Sequence, residues 1–332
     1  MGPWRRVGCL TAVCVASLAG SASAASTWHT YTNAAGSRRY LLEVPPQKLR
    51  RPQLVIYLHG CGQSAADVAG STGFSKAADE QGFIVAYPEQ PAGGCWDWFH
   101  TADQHRGAGE PSIIAGITEE VARAERVNPR RISILGASAG AYMANIVAIS
   151  YPDVYAATGI LAGGPYSLGF DSTPDVSGQA IVAEMGPRAR PVPVLVMQGT
   201  NDNVNPYAAG AAAVQQWLGA YDLLDDHAAN DSVSRVPASV DTHPATGTPD
   251  PANGHTCDEP CAGGVLGLSS YPYSVAHYAD AAGASLLDFW TIYGANHDYT
   301  GASGGSYTDA TGPSMTDAAL AFFRAHPLPA WR

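Results

Sequence analysis

The sequence predicts an α/β fold, a mostly parallel sheet with helices on both faces. Three observations carry this prediction. Short unbroken runs of β-formers, "QLVIYL" at 53–58, "FIVAYP" at 83–88 and "RISILG" at 131–136, read as strands buried on both faces. Segments with apolar residues at helical spacing alternate with these runs, as βαβ units require. The 332 residues are enough for one large α/β domain and show no repeat or heptad.

In chain order, Arg5 and Arg6, the apolar run from Val7 to Leu18 and Ala22-Ser23-Ala24 predict a secretory signal peptide over 1–24. That run is too short for a bilayer span, which needs about 20 residues. Removing 24 residues from 332 leaves 308, expected as a single domain over 25–332, and losing Arg5 and Arg6 takes the formal charge from −11 to −13. So acidic an exported chain argues against nucleic acid and anionic membranes as partners and for a neutral or small substrate; a monomer is expected.

"HTYTNAAGSRRYLLEVP" at 29–45 reads as a hairpin turning at Gly-Ser. The strand at 53–58 ends in His59-Gly60-Cys61-Gly62-Gln63, and a helix over 73–81 precedes the strand at 83–88. Ile113, Ile117 and Val121 place a helix over 112–125, broken by Asn128-Pro129. The strand at 131–136 feeds a helix from Ala139; Val192 to Met197 is a further strand and 207–222 a further helix. Residues 227–268, rich in Pro, Gly, Ala, Ser and Thr, read as a long surface loop beside the site. Strands over 272–280 and 286–293 and a helix near 315–325 complete the chain.

Beyond the signal segment there are four cysteines, an even number suited to an oxidising compartment. Three pairings are possible; the expected one joins Cys61 to Cys95 and Cys257 to Cys261 around Asp258-Glu259-Pro260. Zinc at Cys257 and Cys261 lacks the second half of a site, so no metal is expected.

The chemistry is carried by "GASAG" at 136–140, the G-x-S-x-G pattern between a buried strand and a helix. Ser138 would sit at the tip of a sharp turn, where side chains at 136 and 140 would collide with neighbours. A small-residue helix cap is the competing reading. A serine hydroxyl needs a base, and the base an orienting acid. Asp202, in "GTNDN" at the end of a strand, is the candidate acid, a turn former or helix cap otherwise. His297, leaving the last strand in "IYGANHDYTG", is the candidate base. The amides of Cys61 and Ala139 are candidates for an oxyanion hole, with His59 bracing its loop.

Together "YLHGCGQSAADVA", "FIVAYPEQ", "CWDWF", "RGAGEPSIIAGI", "NPRRISILGASAGAYMA" and "GTNDNVNP" resemble the catalytic domain of extracellular polyhydroxybutyrate depolymerases, a family that includes feruloyl and acetylxylan esterases. The resemblance spans roughly residues 30–325 and is densest over 50–206. It implies an α/β-hydrolase fold, no metal or cofactor, and secretion. It also implies ester hydrolysis by Ser138 as nucleophile, Asp202 as acid and His297 as base, with Cys61 paired to Cys95. Trp96, Trp98 and Phe99 would line the substrate, core packing being the alternative. Where the family carries a glycine before its histidine and a tryptophan nearby, this chain has Asn296 and Asp298-Tyr299.

Many polymer-degrading relatives append a binding domain. Here adsorption is expected to rest on the catalytic domain's own surface, with Tyr271, Tyr273 and Tyr278 as candidates against a packing role. The expected substrate is a short-chain polyhydroxyalkanoate. Feruloyl or acetyl esters on xylan are the alternative, and a non-catalytic secreted binding protein is the rival from another class.

Overall fold

A computed structural model of the chain describes residues 25–330 apart from 92–93, 168–172, 174 and 248–267. The expected signal segment and the expected Cys257–Cys261 disulfide lie outside the described residues. Strands β1 (Ala25–Asn33) and β2 (Gly36–Val44) form the hairpin, but it turns at Ala34-Ala35 rather than at Gly-Ser. Asn33 sets that turn by accepting the Ala35 amide on its side chain at 2.8 Å, the habit that makes Asn a turn residue.

Strand β3 (Leu54–Leu58) is followed by two helices, α1 (Ala65–Ser71) and the expected α2 (Phe74–Gln81), then β4 (Ile84–Glu89). The first of these helices is only seven residues long and hides from periodicity. Its start is fixed by a capping box in which Ser64 accepts the Asp67 amide and Asp67 accepts the Ser64 amide. Helix α3 (Gly109–Ala124), β5 (Ile132–Ala137) and α4 (Ala139–Ser150) follow as expected.

Strand β6 (Ala157–Leu161) and helix α5 (Gln179–Met185) are additions to the sequence reading. The strand's Ala157 and Gly159 carry little β signal. Gly159 is small because a Cβ there would come within 2.9 Å of the Leu135 side chain on the neighbouring strand.

Next come β7 (Val194–Gly199), α6 (Tyr207–Asp226) and β8 (Ser239–His243). The segment 227–268 is thus not all loop: β8 pairs antiparallel with a later strand at the sheet edge. A small ladder, β9 (Thr246–Gly247) with β10 (Leu268–Ser270), precedes β11 (Tyr273–Ala279) and β12 (Ser285–Ile292). A second short ladder, β13 (Tyr299–Thr300) with β14 (Thr308–Asp309), leads to α7 (Met315–Ala325).

The main sheet has ten strands in the order β1-β2-β4-β3-β5-β6-β7-β12-β11-β8. The run from β4 to β12 is parallel, and antiparallel strands flank it on both sides. Alternate residues of β3 feed two cores. Leu54, Ile56 and Leu58 pack with α3, α4 and α6, while Val55 and Tyr57 pack with α1, α2 and α7. Burial on both faces explains why these strands read as unbroken apolar runs. Among the described residues, no helix is long and apolar enough to cross a membrane.

Tyr271 and Tyr278 are core residues. Tyr273 stacks between His243 and Trp290, at centroid distances of 4.3 and 5.1 Å, so its faces are already taken.

Candidate active site

Strand β5 stops at Ala137, and Ser138 turns the chain into α4 with φ 55° and ψ −125°. This conformation is strained for a residue with a side chain and persists only where its surroundings hold it. The Ser138 amide donates to the Leu161 carbonyl at 2.9 Å, and the Ser138 carbonyl accepts from Ala141 and Tyr142. The flanking glycines are steric necessities. A Cβ on Gly140 would lie 2.1 Å from the Leu58 carbonyl oxygen, and one on Gly136 would lie 2.3 Å from the Gly140 carbonyl.

The loops after β7 and β12 are joined to each other. Thr200 N–H donates to the Ile292 carbonyl and Asn201 N–H to the Ala295 carbonyl, both at 3.0 Å. The Asn201 side chain donates to Asn296 Oδ1 at 2.7 Å. This junction brings Asp202 to His297, residues far apart in sequence, at 2.8 Å between Oδ2 and Nδ1. The Asp202 carboxylate is buried but fully engaged. Its Oδ2 also accepts from Gln198 Nε2 at 2.9 Å, and its Oδ1 accepts the Val204 and Asn205 amides at 2.9 and 2.8 Å. An ionised carboxylate only accepts, so His297 carries its hydrogen on Nδ1 and leaves Nε2 basic. His297 and Ser138 line one pocket, with no hydrogen bond between their side chains among the described contacts.

The loop after β3 lies against this turn: a Cβ on Gly60 would meet the Ser138 Cβ at 3.3 Å. His59 is wholly buried behind it. The Gln90 amide donates to His59 Nε2 at 3.0 Å, so Nδ1 carries the hydrogen and donates to the Gly60 carbonyl at 2.8 Å. Burial pushes the imidazole pKa down, which favours this neutral, bracing form.

Cys61 is bonded to Cys95 as expected. The segment bearing Cys95 is held in turn by Glu110, which accepts from the Gln90 side chain, the Asp97 amide and Arg38. Gln63 Oε1 accepts the Gly60 amide at 2.9 Å, whereas the amides of Cys61 and Ala139 have no acceptor among the described residues.

The pocket holds about 110 Å³ and is walled by Tyr57, Thr72, Leu161, Tyr299 and Met315. Val204 and Tyr307 stand at its mouth, 59% and 55% exposed. Asp298 also lines it, its carboxyl pKa raised by burial and by Asp309.

The three aromatics assigned to substrate by resemblance are not among the residues lining this pocket. Trp96 has no exposed surface and donates its indole N–H to the His59 carbonyl at 2.9 Å, a core role. Trp98 stacks on Tyr142 at 4.1 Å, and Phe99 packs edge-on against Trp98 at 5.5 Å; neither lines the pocket. Gln63 stood in a quoted motif, but its role was invisible because its second partner is 243 residues away. Val204 stood in the quoted "GTNDNVNP" and Tyr307 in an irregular segment, and neither position carries a periodicity that exposes a wall role.

Asp97, His100 and Asp103 bring ligand-type atoms within 4.8 Å of one another on the surface. Asp103 caps the Glu110 amide, and nothing further points to an ion there.

A parallel sheet of this kind, with a strained serine turn after β5, an acid after β7 and a histidine after β12, defines the α/β-hydrolase fold. The model of the family described as Esterase PHB depolymerase matches residues 38–221, more than half of the chain. The chain belongs to that family. It is 30% identical over 235 residues to poly(3-hydroxyalkanoate) depolymerase C of Paucimonas lemoignei, covering 64% of this chain and 56% of that protein. It is 33% identical over 200 residues to an acetylxylan esterase of Coprinopsis cinerea, covering 54% of each. The chain thus spans little more than half the length of these relatives. The solved acetyl xylan esterase from Aspergillus awamori superposes with a TM-score of 0.65 over 90% of this chain and 99% of that one, at 17% identity, a likeness of fold.

Proposed function

We propose that the chain is a secreted serine esterase acting through Ser138, His297 and Asp202. The observation that carries this reading is the buried Asp202–His297 pair facing the pocket that also holds the strained serine. His297 Nε2 takes the Ser138 proton as Oγ attacks the ester carbonyl carbon, and substrate binding draws the two together. The resulting oxyanion rests on the free amides of Cys61 and Ala139, aided by the N-terminus of α4. The intermediate collapses, and the imidazolium returns its proton to the departing alcohol. Water, deprotonated by His297, then cleaves the acyl-serine to the acid and restores Ser138. Asp202 holds the imidazole orientation and stabilises its charged form.

The substrate we favour is a short-chain polyhydroxyalkanoate. This choice rests on the family's description and on the depolymerase relative of Paucimonas lemoignei. Acetyl esters on xylan remain the second reading, supported by the acetylxylan esterase relatives.

Ser138→Ala should remove turnover and fluorophosphonate labelling while leaving the melting temperature unchanged; substantial residual activity rejects the nucleophile. Product release from a poly(3-hydroxybutyrate) film, acetylated xylan and feruloylated arabinoxylan should rank in that order. Fastest release from acetylated xylan would instead establish the second reading. An unlabelled wild-type protein would favour the non-catalytic binding protein.

A further inference from the structure

Gln63 is almost fully buried, and it ties the β3 loop to the opposite wall of the pocket through both ends of its amide. Its Oε1 accepts the Gly60 amide at 2.9 Å, and its Nε2 donates to the Ser306 carbonyl at 2.8 Å. Ser306 precedes Tyr307, whose φ of 56° is strained for a bulky residue. The Tyr307 carbonyl accepts the Tyr299 amide at 2.8 Å, and its ring stands edge-on to His297 with centroids 6.2 Å apart.

We propose that Gln63 is a positioning residue that sets the oxyanion loop and the Tyr307 wall in one register across the reacting serine. The argument is one of hydrogen-bond accounting. By occupying the Gly60 amide, Oε1 leaves Cys61 and Gly62 as the loop amides without an acceptor among the described residues, Cys61 being the nearer of the two to Gly60 in the chain. By holding Ser306, Nε2 keeps the strained Tyr307 over the imidazole. A neutral amide alone does both, because it accepts at one end and donates at the other. Leucine does neither, and an ionised glutamate keeps the first bond but sets a negative oxygen against the Ser306 carbonyl. A protonated glutamate restores both, its hydroxyl donating where Nε2 did.

This inference rests on the esterase reading, and its test separates the two. Wild type, Ser138→Ala, Gln63→Leu and Gln63→Glu are assayed on p-nitrophenyl acetate, with melting temperatures measured in parallel. Gln63→Leu should lower kcat about 10- to 100-fold, with KM within about threefold. Gln63→Glu should lose a similar factor at about pH 8, and its kcat relative to wild type should recover at least about fivefold by about pH 5.

The titratable groups around this position are His59, Asp67 and Glu89 on the loop side and His297, Asp298 and Asp309 on the facing wall. All are present in wild type, so the ratio of the two profiles removes their own titration. If Gln63→Leu does not fold, the pH dependence of Gln63→Glu decides. A flat ratio, or kcat within about threefold of wild type in both variants, overturns the positioning role while leaving the esterase reading intact. Undiminished turnover by Ser138→Ala would overturn the esterase reading instead.

Discussion

At the scale of single residues, the site is decided by what is missing from Gly140. Its position against the Leu58 carbonyl leaves no room for even one methyl group, because the atoms met are the backbone of Leu58 and His59 rather than a side chain that could turn aside. Gly140→Ala should therefore cost about 1–3 kcal/mol of stability or more, and most of the activity with it. Urea denaturation and initial rates on a soluble ester check both. A variant as stable and active as wild type would mean the turn is not as tight as described. This constraint was legible in the sequence, since "GASAG" after an apolar run tells which positions must be small. The wall residues were not legible. Tyr307 and Val204 matter through where the loops leave them, and a loop position carries no periodicity from which to infer a neighbour.

Among elements, β8 is held by its ladder with β11, a stacked ring and charge rather than by burial. All five of its residues are exposed. His277 on β11 bonds Asp288 on β12 at 2.7 Å and approaches Asp241 on β8 at 3.4 Å. Burial alone would lower the His277 pKa, but the two carboxylates outweigh it and the net shift is upward. His326, which follows α7, lines the same groove as His277.

A histidine whose folded pKa exceeds its unfolded value stabilises fully below the unfolded value. That contribution fades as pH rises through the folded one. His277→Gln should thus lower the melting temperature more at about pH 5.5 than at about pH 9. Equal losses at both values would remove the ion pairs from the account. The sequence concealed β8 for the same reason that makes it interesting. An edge strand of Ser, Val, Asp, Thr and His lacks the apolar run that announced β3, β5 and β7, so its stretch read as loop.

Across the whole molecule, the central strands were readable because burial on both faces leaves a continuous apolar signature, and the order of Ser138, Asp202 and His297 followed from their strand ends. What could not be read was the convergence itself. It depends on β12 lying beside β7, and that adjacency brings the Asn201 and Ala295 backbones together. The largest covalent constraint on the site is the Cys61–Cys95 bond, across a sequence separation of 34 residues. Closing a loop of that size removes about 3–4 kcal/mol of unfolded-state entropy in the chain-entropy account. Cys95→Ser should lower unfolding stability by up to that amount and reduce kcat through a loosened Cys61 amide. Denaturant titration and steady-state rates under non-reducing conditions measure the two effects, and unchanged rates would separate the bond from the chemistry.

That crosslink makes the shape of the pocket answerable to surroundings. Among reducing thiols the Cys61 loop would stand unlatched, and an oxidant completes the latch.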